Sequence, residues 1–160
     1  PINNAGAEWF SAAVWPAVLA RVPEARLLVA GGLCGALDGW ITGQMLGTVA
    51  DVRDAYRQAQ VVVNPVQSGT GLKIKTIEAM GYGRPVVCTP EGALGLRSAE
   101  GEGLFVCEGA EAFAQTLARL LGDAAARQHA AANAARYAES YSRAAYAPLD
   151  EALRSSEPRG

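Results

Sequence analysis

The sequence predicts an α/β domain built on a doubly wound parallel sheet with helices on both faces. Three observations predict it. Short apolar runs, among them Val61-Val62-Val63 and Leu104-Phe105-Val106-Cys107, alternate with stretches of helical character. Runs that are apolar throughout suit strands covered on both sides, as in parallel sheets. Between two of them stands Ser68 to Thr89, SGTGLKIKTIEAMGYGRPVVCT, where a glycine-rich turn opens directly into a helix. With 160 residues, half of them hydrophobic, the chain is long enough for one domain with a sizeable core.

Taken in order, residues 5–22 read as a helix with Asn3 or Asn4 as its N-cap. Trp9, Phe10, Ala13 and Val14 give that helix an apolar flank, and Pro16 is expected to kink it. Pro23-Glu24 turns the chain into a strand at 26–30, which Gly31-Gly32 ends. A loop to about Asp38 leads to a weaker strand within 40–46. Asp51 caps a short helix at 52–60, followed by strand 61–63, the glycine loop, helix 72–82 and strand 85–88. The last strand is 104–107. A helix at 109–121 follows, closed by Gly122 as a glycine C-cap. Asp123 then caps an alanine-rich helix to about Tyr141, and a final helical stretch covers 143–154. Residues 1–154 form the domain, and 155–160, SSEPRG, a polar tail expected to be disordered. The alternation begins with a helix, so a first strand is expected ahead of Pro1.

Composition excludes several classes. A net charge of −2 with both signs interspersed is no nucleic-acid footprint. Cys34, Cys88 and Cys107 are odd in number and widely spaced, and His129 is the only histidine, so no protein-supplied zinc site is expected. Reduced thiols in a cytoplasmic protein are the simpler reading. No apolar run approaches the ~18 residues that span a bilayer.

A strand, a glycine turn and a helix N-terminus make an anion site, because glycine admits close backbone approach and first-turn N–H groups are unpaired. The expected ligand is therefore negatively charged and phosphate-bearing. On a helical wheel Ile74, Ile77 and Met80 form the core-facing stripe, while Lys75, Glu78 and Tyr82 share a neighbouring flank. Lys75 would neutralise phosphate oxygens, and Glu78 would accept hydrogen bonds from paired sugar hydroxyls. The same spacing equally suits an exposed Lys–Glu pair of small stabilising value, and spacing alone favours that simpler reading. Lys73 reads as a solvated first-turn residue and His129 as a surface residue. Thr89 and Glu91 follow strand 85–88, where loop polarity explains them as well as ligand contact does. The full dinucleotide fingerprint and the P-loop are both absent.

The stretch GTGLKIKTIEAMGYGRPVVCTPEGALGL, residues 69–96, resembles the donor-binding signature of retaining glycosyltransferases of the group 1 type, which have a two-domain GT-B architecture. WFSAAVWPAVLARVPEARLLVAGG and GTVADVRDAYRQAQVVVNP fall in the same family order, so the resemblance covers nearly the whole chain. It implies a Rossmann-like domain, one half of a GT-B architecture, that binds a nucleotide diphosphate sugar and requires no cofactor. In such a domain the loop amides of Ser68, Gly69, Thr70, Gly71 and Leu72 face the diphosphate and donor sugar. Lys73 or Lys75 would substitute for the basic residues that the family carries near its domain junction, and Glu78, in the E-A-M element, binds the ribose hydroxyls. The family usually carries a second glutamate eight residues earlier, where this chain has Thr70. The acceptor would be held by an N-terminal domain of the same protein, leaving this chain inactive alone. A lipid-borne acceptor would put the enzyme at the inner membrane face, a peripheral association. The rival readings are a nucleotide-sugar epimerase half and a non-catalytic α/β binding or interaction module.

Overall fold

A helical arm with an irregular middle opens the chain. The computed structural model describes residues 2–32, 34–37, 43–69, 73–96, 99 and 101–156. The arm consists of α1 (Ile2–Trp9), a π-helical turn at Phe10–Val14, and α2 (Trp15–Arg21). The Trp15 N–H reaches back to the Phe10 carbonyl, five residues earlier, so the wide turn lies just ahead of Pro16. Proline has no N–H and crowds the preceding turn, which makes it a usual site of helix distortion. The expected kink thus takes the form of a π-turn. Asn3 and Asn4 lie inside α1 and do not cap it.

The remaining elements keep the predicted order, except that a short helix at Cys34–Leu37 stands in the stretch that reads as a loop. They are β1 (Leu28–Ala30), α3 (Cys34–Leu37), β2 (Gln44–Gly47), α4 (Val52–Gln58), β3 (Val62–Asn64), α5 (Ile74–Gly81), β4 (Val86–Cys88), a 3₁₀ turn at Glu91–Ala93, β5 (Leu104–Val106), α6 (Gly109–Gly122) and α7 (Ala124–Ser156). Asp51 caps α4 as expected, its carboxylate accepting the Arg53 N–H at 2.9 Å. That bond holds the carboxyl below its ordinary value. Asp123 likewise accepts the Ala126 N–H at 2.9 Å and starts α7.

Two expectations are corrected. Gly122 is the last helical residue of α6, and the capping position is Asp123, in extended backbone. The two late helices are one: α7 runs unbroken to Ser156, because Tyr141-Ser142-Arg143 offers neither glycine nor proline to end it. Residues 155 and 156 therefore belong to a helix, and 157–160 lie outside the described residues.

Among the described residues the strands form two parallel sheets, β1–β2 and β3–β4–β5. The central strand β4 is fully buried, and its side chains alternate between faces. Val87 joins Phe10, Val14, Trp15, Val18, Phe113, Leu117 and Leu120 on the side of the helical arm and α6. Val86 and Cys88 join Ala79, Met80, Leu104, Ala134 and Ala138 on the side of α5 and α7. Each fully buried large apolar side chain contributes about 1.5–3 kcal/mol. The result is a mixed α/β, Rossmann-like arrangement with helices on both faces of a parallel sheet.

Candidate functional site

The loops at the carboxyl ends of β3, β4 and β5 lie together, where open parallel sheets bind their ligands. Strand β3 ends at Asn64, and the chain runs on without regular structure to Gly69. Gly69 has φ +123°, a conformation that glycine adopts without the strain a side chain brings. The Lys73 Nζ donates to the Gly69 carbonyl at 3.1 Å, drawing the end of the loop back onto its start. Lys73 is thus half-buried and tied, where the sequence suggested a solvated residue. Ser68 is exposed and Gly69 half-buried, whereas Thr70, Gly71 and Leu72 lie outside the described residues.

Helix α5 turns a different face inward from the one its apolar pattern suggested. Thr76, Ala79 and Met80 are fully buried, Ile77 is half-buried, and Ile74 is 67% exposed. A threonine is acceptable inside because its hydroxyl is satisfied on both sides. It accepts from the Asn64 Nδ2 at 2.9 Å and donates to the Gly92 carbonyl at 3.1 Å. A wheel based on apolarity alone cannot see such partners.

The loop after β4 is fastened to the loop after β3. The Thr89 hydroxyl donates to the Val66 carbonyl and accepts from the Gly92 N–H at 3.1 Å. The Thr89 N–H reaches the Asn64 carbonyl at 3.3 Å. Gly92 fits because it lacks a side chain: a Cβ there would lie 2.6 Å from the Asn64 carbonyl oxygen and 2.9 Å from the Cys88 Cβ. Thr89 is accordingly buried and structural, while Glu91 stays exposed. Beside these loops opens a cleft of about 340 Å³, walled by Trp9, Gln67, Thr89, Glu91, Cys107 and Glu108. Gln67 directly precedes Ser68, so the cleft adjoins the glycine loop.

The flank of α5 carries the charged groups. Lys75 is exposed and Glu78 half-buried. Glu78 accepts a hydrogen bond at 3.1 Å from the Tyr56 hydroxyl of α4. The Tyr56 ring stacks on Tyr82, with centroids 4.9 Å apart and planes 22° from parallel. Burial, and then the Glu78 charge, push the Tyr56 phenol far above its ordinary value, so it remains a protonated donor. The structure thus brings Glu78 and Tyr82 together as the spacing suggested, through a third residue that the sequence reading missed. No local signal marks Tyr56, which lies 22 residues from its partner.

Cys34, Cys88 and Cys107 are all buried. His129 is exposed on α7, where its Nε2 lies 3.2 Å from the Asn133 Nδ2. Among the described residues no cluster of three or more His, Cys, Asp or Glu is placed to hold a metal ion, and no helix is long and apolar enough to cross a membrane.

A family model described as Glycosyl transferases group 1 matches residues 1–123. The chain belongs to that family. No curated protein matches it. The part of this glycosyltransferase domain that carries the family pattern runs from α1 through α6 and contains the loops after β3, β4 and β5. Helix α7 lies beyond the match and yet packs on α5 through Ala134 and Ala138.

Proposed function

We propose that this chain is the donor-binding half of a retaining GT-B glycosyltransferase and binds a nucleotide diphosphate sugar over the carboxyl-end loops. The observation that carries the reading is the passage from β3 through Gly69 into α5, inside the family match, with Glu78 on the helix that the loop feeds. Ser68, Gly69, Thr70, Gly71 and Leu72 would meet the diphosphate and donor sugar through backbone N–H groups. Lys75, exposed in the first turn of α5, would add positive charge. Glu78 would accept the two ribose hydroxyls.

The sheet order supports the same architecture. The arms β2–β1 and β3–β4–β5 fit a doubly wound order in which one further parallel strand stands between β1 and β3. The arm of α1 already spans that interval. Ala7 packs with Val29 and Cys34 beside β1, while Phe10 and Val14 pack with Val87 of β4.

In the reaction, the bond between the sugar and the diphosphate breaks and the acceptor oxygen bonds to the same carbon and face. Negative charge develops on the departing diphosphate, and preorganised loop amides with a lysine stabilise it where it forms. The only histidine is on the exposed side of α7, so the leaving phosphate itself takes the acceptor proton. The acceptor is held by a separate N-terminal domain of the same protein.

Calorimetric titration with UDP, GDP and ADP tests the proposal. One nucleotide is expected to bind saturably, and Glu78→Ala to weaken it by roughly tenfold, one 1.4 kcal/mol step. Absence of binding by all three in the full-length protein would refute it.

A further inference from the structure

We propose that Tyr56 is a positioning residue for the donor site, holding the Glu78 carboxylate in the orientation that receives the ribose diol. The inference rests on the ribose reading of Glu78 and extends it to a residue on another helix.

Two vicinal hydroxyls donate two hydrogen bonds, and an ionised carboxylate offers about four acceptor directions on two oxygens. A free glutamate side chain samples many rotamers, and ordering it on binding opposes affinity. Glu78 is already ordered: its Oε2 accepts the Tyr56 hydroxyl at 3.1 Å, which leaves Oε1 and one side of Oε2 for a ligand. Tyr56 is itself held, half-buried and stacked on Tyr82 at 4.9 Å. Tyr82 follows α5 directly, so the helix that carries Glu78 also fixes the ring that orients it. The backbone at the start of α4 is fixed in turn by the Asp51 cap. Lys75, the neighbour that spacing alone would pair with Glu78, makes no ion pair with it among the described residues, which leaves its charge available to phosphate.

The phenol stays protonated because burial and the adjacent carboxylate both oppose its ionisation. It therefore donates to Glu78 throughout the neutral range and does not turn into an ionised acceptor for the ribose hydroxyls.

The test is a comparison of ligands in Tyr56→Phe, which removes the hydroxyl and keeps the stacked ring. Dissociation constants are measured by calorimetry for UDP, GDP and ADP and for their 2′,3′-dideoxy forms. The wild-type chain is expected to favour the ribose form. In Tyr56→Phe that preference should shrink by about five- to tenfold, within one decade of affinity, while the dideoxy form binds unchanged. A preference equal to the wild type overturns the proposal, as does an equal weakening of both forms, which marks a merely structural tie. Glu78→Gln separates the two layers of the argument: a wild-type preference in that variant defeats the ribose reading itself. Should Tyr56→Phe not fold, Tyr82→Leu frees the ring with its hydroxyl intact. It is expected to lower the same preference in part, and no change there rejects the positioning role.

Discussion

Replacing Gly92 with alanine adds one methyl group at the point where the loops after β3 and β4 meet. The added Cβ would stand 2.6 Å from the Asn64 carbonyl oxygen, 2.9 Å from the Cys88 Cβ and 3.3 Å from the Asn64 Cγ. The first of these is backbone at the end of a strand and the second is part of a fully buried side chain, so neither can swing aside. Relief requires the two loops to part by several tenths of an ångström. That movement strains the Gly92–Thr89 and Thr76–Gly92 hydrogen bonds together. Overpacking of this kind costs about 1–3 kcal/mol. For a chain of this size each kcal/mol lowers Tm by about 2–4 °C, so a drop of about 2–12 °C is expected by circular dichroism. Gly35→Ala is the control: it lies in α3, nothing stands within 4 Å of its Cβ, and it should be neutral or stabilising by up to about 1 kcal/mol. A Gly92→Ala protein as stable as the wild type would show that the loops are not clamped as described.

Thr76→Val keeps the shape of a fully buried side chain but strips the Asn64 amide and the Gly92 carbonyl of a shared partner. A loss of about 1–3 kcal/mol is expected in urea unfolding, with the midpoint lowered and the slope unchanged. The raised Tyr56 pKa gives a stability term with a definite sign. The folded state holds the phenolic proton more tightly than the unfolded chain, so the contribution is complete below about pH 10 and is lost as pH rises beyond it. Alkaline unfolding of the wild type should therefore show a steeper fall above that pH than Tyr56→Phe, and identical profiles would contradict the burial of the hydroxyl.

The fold was largely legible because strands of a parallel sheet covered by helices read as short apolar runs: β4 is fully buried, and β3 and β5 beside it are half-buried or better. Caps with a side-chain mechanism, Asp51 and Asp123, were legible for the same reason: one residue and its local amides decide them. What the sequence concealed depends on partners distant along the chain. Thr76 is inside because Asn64 and Gly92 complete it, and Ile74 is outside as a consequence of the same rotation of α5. Lys73 is tied to a carbonyl that only a glycine at φ +123° presents. Tyr56 reaches Glu78 across two helices, and no periodicity within either helix records that meeting.

Helix α7 shows how far the family pattern and the folding unit differ. The family match stops at residue 123, yet it is α7, beyond that point, that closes the far face of the sheet. Gly103 sits against α7 so closely that a Cβ there would lie 2.5 Å from the Ala130 carbonyl oxygen and 2.6 Å from the Ala134 Cβ. Ala134 is fully buried, and it packs in the same cluster as Met80, Val86, Leu96 and Leu104, themselves wholly buried. A chain ended after Asp123 would expose much of that cluster. At about 1.5–3 kcal/mol for each large side chain, uncovering three or four of them approaches the 5–15 kcal/mol that holds an ordinary domain together. The shortened chain is therefore expected to lose its cooperative thermal transition and to be cut rapidly by protease within α5. If it instead unfolds cooperatively, α7 is an accessory of the domain and the core is complete without it.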